Sequence, residues 1–194
     1  MGEEPTETPA DGDLVARAKG GDLEAFEALV RRHRDGAWRV ARQIVRNRDD
    51  ALDVAQEAFI RAYRALPGFK ERASFRTWLY RIVVNLSLDH LGRQRGGEID
   101  LGPERLERVS VDRADREPSE DPSRAMERDE ARARVHAALA RLPEHHRTVL
   151  VLRELEGLSY EEIARTVGCS LGTVMSRLHY GRRSLRAALE DLGA

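Results

Sequence analysis

The chain has 194 residues, 35% charged and 41% hydrophobic, with 33 Lys+Arg set against 34 Asp+Glu for a net charge of −1. That composition is ordinary for a helix-rich globular chain, of a length for one large or two small domains. No apolar run approaches the roughly 20 residues of a bilayer span, and no apolar core follows a basic N-terminus. Membrane insertion and export are therefore unsupported, and the cytoplasm is the expected location. The single cysteine, Cys169, rules out an internal disulfide and cannot by itself form a zinc site.

Residues 1–12 read as a disordered acidic tail. Up to Asp13 the chain carries Glu3, Glu4, Glu7, Asp11 and Asp13, no base, and the turn formers Pro5, Pro9 and Gly12. From 13 to 95 the apolar residues recur at three- and four-residue spacing with almost no strand-like alternation, which predicts a bundle of about four helices. Gly20-Gly21 breaks the first pair, 46–50 the second, and Pro67-Gly68 stops a helix running from about Asp49 to Leu66. On that third helix Ala51, Val54, Ala55, Ala58, Phe59, Ala62, Tyr63 and Leu66 form the expected buried face, which leaves Asp53, Gln56, Glu57, Arg61 and Arg64 outside. A fourth helix is expected from near Ser74 to about Arg95.

The segment FKERASFRTW, 69–78, combines aromatic rings with Lys70, Arg72 and Arg76, the ingredients for holding an unpaired base: a stacking surface and neutralisation of the backbone. Between Phe69 and Arg95 six bases stand against Glu71 and Asp89, a net +4. Phe75 and Trp78 have an alternative place in the core, and for Trp78 the core is the better reading.

Residues 96–123 change character, with three prolines, three glycines and nine acids against four arginines, and read as a flexible acidic linker. A second helical unit is expected over 124–192. The fold class is thus all-α, two small helical domains joined by a flexible acidic tether.

Within the second unit, Ser159 with Glu162 three residues later forms a capping box, Gly168 is placed to end that helix, and Ser170 caps the next. This is a helix-turn-helix. Cys169, in its turn, is expected to be buried as a small hydrophobe. Leu171, Val174, Leu178, Gly181 and Leu185 fall on one stripe of the second helix, opposite Gly172, Ser176, His179, Arg183 and Arg186. From Ser170 to Arg186 there are four arginines and no acid. DNA is therefore the leading partner: Met175, Ser176, His179 and Tyr180 are assigned to base edges, and Arg182, Arg183 and Arg186 to phosphates. The alternatives are edge-of-core packing for Met175 and Tyr180 and a solvated face for the arginines.

Three stretches together resemble one family. They are DALDVAQEAFIRAYRAL at 50–66, SFRTWLYRIVVNLSLDHL at 74–91 and LPEHHRTVLVLRELEGLSYEEIARTVGCSLGTVMSRL at 142–178. In that order they resemble the extracytoplasmic-function group of the sigma-70 family, sigma-E-like RNA polymerase sigma factors, over about Leu14 to Leu189. The resemblance implies a non-catalytic subunit without cofactor or metal. Region 2 would serve the −10 promoter element and region 4 the −35 element.

It further implies that Asp53, Gln56 and Glu57 grip the β′ clamp helices of core RNA polymerase, and that region 4 meets the β flap. Phe69, Lys70, Ser74, Phe75 and Arg76, with Asn85, would receive a base flipped from the −10 strand. An anti-sigma factor and a role in stress response also follow from the likeness. One departure stands out: adjacent arginines after the last-helix aspartate are common in relatives, whereas here Asp89-His90-Leu91 is followed by Gly92 and Arg93.

Two other readings compete. A stand-alone helix-turn-helix regulator accounts for the C-terminal unit alone. A metal hydrolase using Glu144, His145 and His146 needs adjacent histidines to share a metal, although their side chains diverge by about 100° on a helix.

Overall fold

Five of the helices begin where a short polar side chain can hold their first free amides, and these caps set the frame of the molecule. In a computed structural model, which describes residues 9–96 and 122–193, the order is α1 (Asp11–Lys19), α2 (Leu23–Val45), α3 (Arg48–Ala65), α4 (Phe75–Gly96), α5 (Pro122–Arg141), α6 (Glu144–Leu150), α7 (Tyr160–Val167) and α8 (Leu171–Asp191). Asp22 accepts from Ala25 N at 3.0 Å, Asn47 from Asp49 N at 2.8 Å, Ser74 from Thr77 N at 3.1 Å and Ser170 from Thr173 N at 3.1 Å. Leu66–Gly68 adds a tight 3-10 turn after α3, and α6 runs on into one wide π turn at Val151–Leu155. Among the described residues there is no strand.

Helices α1 to α4 form one bundle, in which Leu14, Leu29, Val40, Ile44, Ala51, Ala58, Leu79 and Val83 are buried. Of the face expected on α3, Ala51, Val54, Ala55, Ala58, Phe59 and Ala62 are buried, as is Leu66 just beyond it. Tyr63 is the exception. It remains 43% exposed, with its ring 4.9 Å from that of Phe26, because its place on the helix leaves the hydroxyl end in water. Asp11, read as part of the tail, belongs to the first turn of α1, where it bonds Arg32 at 2.6 Å and His33 at 2.8 Å and so ties α1 to α2.

The expected tether, 96–123, lies outside the described residues except for its ends. Gly96 closes α4 and Pro122 opens α5, two residues before the expected start; a proline in the first turn costs no helix hydrogen bond.

Helices α5 to α8 form the second unit around Ala138, Leu142, Val149, Leu152, Ile163, Val174 and Leu178. The two units share a contact surface: α4 lies along α7, and α2 meets α5 and α6. Polar groups cross it. Tyr80 Oη donates to Glu156 Oε2 at 2.6 Å, Arg39 Nε donates to Glu156 Oε1 at 3.0 Å, Thr77 Oγ1 donates to Glu162 Oε1 at 2.9 Å, and Arg147 Nη2 donates to the Ile44 carbonyl at 3.2 Å. Gln43 and His136 are 2.5 Å apart at the same surface. Glycine inside a helix costs roughly 0.5–1 kcal/mol relative to alanine, so Gly36, in the middle of α2, calls for a local reason. A Cβ there would collide with the Tyr80 hydroxyl and come within 3.2 Å of Glu156 Oε2.

Burial holds His33 below the usual imidazole range, although Asp11 beside it pulls the other way; burial and then Arg42 and Arg132 do the same to His136. The folded chain therefore keeps both rings neutral where the unfolded chain, near the ordinary value of about 6.5, takes up protons. Stability is expected to be complete above that value and to fall as pH drops through it toward the lowered folded values. Urea midpoints measured at pH 7.5 and pH 5.5 check this.

Candidate nucleic-acid interface

The helix-turn-helix forms as its sequence dictates. Glu162 N donates to Ser159 Oγ at 3.2 Å while Ser159 N donates to Glu162 Oε2 at 2.8 Å, so each end of the capping box satisfies the other. The bond from the Ser159 amide, reinforced by Thr77, holds the Glu162 carboxyl below its usual range. Gly168 ends α7 in the left-handed region at φ 68°. Ser170 then starts α8 in a new direction.

On α8 the predicted division into faces holds with one shift. Val174, Leu178 and Gly181 are buried and Leu185 is half-buried, while Gly172, Ser176, His179, Arg183 and Arg186 are all exposed. Leu171, expected on the packing stripe, is 42% exposed: as the first residue of α8, directly after the cap, it projects past the end of the core. Met175 and Tyr180, each a little over half exposed at 53% and 54%, face solvent and do not complete the core. Tyr180 is braced by His179 and His146, whose rings lie 5.3 Å and 6.5 Å away. Burial, then His145 and Arg177, keeps His146 below the ordinary imidazole range.

Of the three phosphate-assigned arginines, Arg183 and Arg186 are open, whereas Arg182 is held by Glu154 through two bonds of 3.0 and 2.8 Å. That pair is half-exposed, so exchanging it for another acceptor is cheap. Thr173, half-buried beside the Ser170 cap, and Leu171 belong to the same exposed end of α8; their place next to a cap serine was the signal that could have added them.

The second basic surface borders a cleft of about 790 Å³ lined on one side by Phe69, Lys70, Arg72, Trp78, Arg81 and Asn85, and on the other by 164–170 of the helix-turn-helix. Lys70 and Asn85 are exposed at it. Ser74 does not line it: it is the cap of α4, bonded to Thr77. Phe75 is also elsewhere. It is 2% exposed, set against Phe69, Trp78 and His33 at ring distances of 6.4, 5.8 and 5.4 Å, and so occupies the core position given as its alternative. Trp78, for which the core was the better reading, is half-buried and forms part of the cleft wall, and Arg76 is half-buried outside the lining. Arg81, counted among the six bases of this stretch but not assigned to the base, lines the cleft as well. Cys169 lines the cleft and is half-buried, not enclosed as expected.

The outer face of α3 carries Asp53 and Gln56, both exposed, and Glu57, bonded to Arg61 at 2.7 Å. Leu52 and Ile60, exposed at 43% and 46%, flank them one turn away on either side. Their absence from the core stripe was the signal that marks an apolar contact surface. Among the described residues no group of three or more His, Cys, Asp or Glu is placed to hold a metal, and no helix is long and apolar enough to cross a membrane.

An all-helical pair of units, one a helix-turn-helix with a basic outer face and the other a bundle with a basic cleft and an exposed acidic-apolar helix, defines a DNA-binding protein of the transcription type. The family described as Sigma-70 region 2 matches residues 29–96, and the family described as Sigma-70, region 4 matches 132–185. The RNA polymerase sigma-H factor of Pseudomonas aeruginosa is 44% identical over 185 residues, spanning 94% of this chain and 95% of that one. The ECF RNA polymerase sigma-E factor of Escherichia coli is 39% identical over 189 residues, 96% of this chain and 98% of the relative. In solved form, a sigma factor, RpoE of Bartonella quintana, in complex with the anti-sigma factor NepR superposes with TM-score 0.67 at 25% identity, covering 85% of this chain and 96% of that one. The chain belongs to the sigma-70 family, in its extracytoplasmic-function group. It is an RNA polymerase sigma factor, directs promoter-specific initiation and is not an enzyme.

Proposed function

We propose that this sigma factor reads the −35 element with α8 and holds an unpaired −10 base at the cleft beside α4. Residues 13–95 act as region 2 and 124–192 as region 4. The observation that carries this is the exposed α8 face, where Met175, Ser176 and His179 precede Arg183 and Arg186 with no acid among them. The first group suits base edges in a major groove and the second suits phosphates. Tyr180 adds an aromatic surface at the edge of the same face, and Arg182 joins the phosphate set once released from Glu154.

In the cleft, Trp78 and Asn85 offer stacking and hydrogen bonding, with the buried Phe69 ring, 8% exposed, packed 4.7 Å behind Trp78 instead of open to a base, while Lys70 and Arg81 neutralise the strand. Arg76 adds charge from the adjoining turn. Ser74 and Phe75 act from behind: Ser74 fixes the start of α4, and Phe75 supports the Phe69 and Trp78 rings. On α3, Asp53, Gln56 and Glu57 face the β′ clamp helices of core polymerase, and region 4 meets the β flap. An anti-sigma factor that occludes these faces is a further partner, and the chain works in the cytoplasm in a stress response.

In vitro transcription with core polymerase on a panel of promoters tests the whole reading. Selective initiation that needs the chain is expected; initiation indifferent to its presence overturns it. Within that assay, Ser176→Ala and His179→Ala are expected to change the preference among −35 sequences by roughly 1–3 kcal/mol per lost base contact. Arg183→Ala is expected to weaken all promoters alike and to flatten the salt dependence. Equal losses on every promoter from both sets would show that the division of roles is wrong.

A further inference from the structure

The turn that begins the basic wall of the cleft is held in a conformation its own residues do not favour. Between the Leu66–Gly68 turn and α4, Glu71 sits at φ 54°, in the left-handed region. Among the described residues the other non-glycine case is Arg46, which closes α2 and is held there by its bond to the Arg42 carbonyl. Glu71 closes no helix. A left-handed residue crowds its Cβ against the following carbonyl oxygen, so it stays there only where its surroundings over-determine it.

Those surroundings come from α1. Its last residue, Lys19, donates to Glu71 Oε1 at 3.0 Å, across 52 positions of sequence, and its ammonium stands 5.6 Å from the centre of the Phe69 ring. A lysine that ends a helix ordinarily extends into water, yet this side chain is only 27% exposed. Beneath it α1 packs against Leu66–Gly68, and Phe69 N donates to the Leu66 carbonyl at 3.0 Å. One side chain thus touches both ends of the Phe69–Glu71 segment, the ring at its start and the carboxylate at its end. Phe69 in turn backs Trp78, so the aromatic wall of the cleft is tied to the same hold.

Charge gives the pair a second consequence. Glu71 is the one acid among the described residues that line the cleft, where Lys70, Arg72, Arg81 and Arg165 are the bases. A bare carboxylate between Lys70 and Arg72 would repel the phosphates that those two attract. Lys19 offsets that charge from outside the lining.

We propose that Lys19 is a positioning residue for promoter opening: from α1 it fixes the Phe69–Glu71 turn and masks the Glu71 carboxylate, so that the cleft can accept an unpaired −10 base. The inference deepens the proposed reading of the cleft and rests on it. A half-exposed ion pair contributes little to the fold as a whole. The loss of Lys19 is therefore felt in opening and not in folding.

The test uses the full chain with core polymerase on promoter duplex, comparing Lys19→Ala, Lys19→Arg, Glu71→Gly and the pair Lys19→Ala with Glu71→Gly. Permanganate reactivity at the −10 element follows opening, and protection of the −35 element follows the closed complex. Lys19→Ala is expected to slow opening about fivefold, the upper end for a half-exposed ion pair, with −35 protection and melting temperature unchanged. Lys19→Arg, which keeps the charge, is expected to recover most of the rate. Glycine adopts the left-handed turn without strain and brings no carboxylate, so in the Glu71→Gly background Lys19→Ala is expected to slow opening no further. Opening unmoved by Lys19→Ala overturns the proposal, as does an equal loss in both backgrounds, which would give Lys19 a role apart from Glu71. A slower opening matched by a lower melting temperature also overturns it, since Lys19 would then be part of the scaffold. A wild type that initiates selectively while every variant and the wild type leave the −10 element unreactive would fault the reading of the cleft itself, and this inference with it.

Discussion

Leu178→Ala is expected to destabilise the chain by about 2–5 kcal/mol, the range for deleting a fully enclosed leucine where the surroundings relax only in part. Leu178 is 1% exposed, on the inner stripe of α8 with Val174, and its core is shared by α5, α6 and α7. For a chain of this size that range corresponds to a fall in melting temperature of roughly 4–20 °C. The contrast with Ser176 is instructive, because the two lie only two residues apart on one helix. Ser176 is exposed and its hydroxyl merely returns to the Thr173 carbonyl at 3.0 Å, so its alanine variant should melt within about 0.5 kcal/mol of wild type. Thermal or urea unfolding of the two variants side by side separates the packed stripe of α8 from its exposed face. A loss below 1 kcal/mol for Leu178→Ala would mean that α8 is not anchored through this stripe.

The same helix shows which parts of the molecule were legible in its sequence. Capping serines, a glycine with positive φ and a 3.6-residue stripe are local codes, and the helix-turn-helix written in them is the one that forms. Leu171 and Tyr63 are apolar residues that the period assigns to the core but that sit at the end or the edge of a helix, where the period no longer decides burial. Phe75 fails in the opposite direction. An aromatic in a basic segment was assigned to the base, but the first residue of α4 turns inward against His33, Phe69 and Trp78.

What could not be read at all was the contact between the units. Arg39 and Glu156 are 117 positions apart, and Arg147 is 103 from the carbonyl it meets. No spacing along the chain marks a polar pair of that separation. Gly36 was the one local hint, a helix-interior glycine with no turn to explain it.

Asp53→Arg combined with Glu57→Arg is expected to weaken binding to core RNA polymerase by about a hundredfold or more. Hydrogen bonds to charged groups contribute about 1.5–3 kcal/mol each, and reversal adds like-charge repulsion to their loss. The fold should not notice. Asp53 is exposed, and the one intramolecular partner at risk is the half-exposed Glu57–Arg61 pair, a helix i,i+4 contact of about 0.3–0.5 kcal/mol. Leu52 and Ile60, on the same face, predict a second signature: their alanine variants should weaken the polymerase complex in a way that salt does not mimic, while the charge-reversed pair should be strongly salt-dependent. Binding of labelled chain to core enzyme at two ionic strengths measures both. A charge-reversed chain that folds normally and still holds core polymerase with native affinity would move the polymerase surface off α3 altogether.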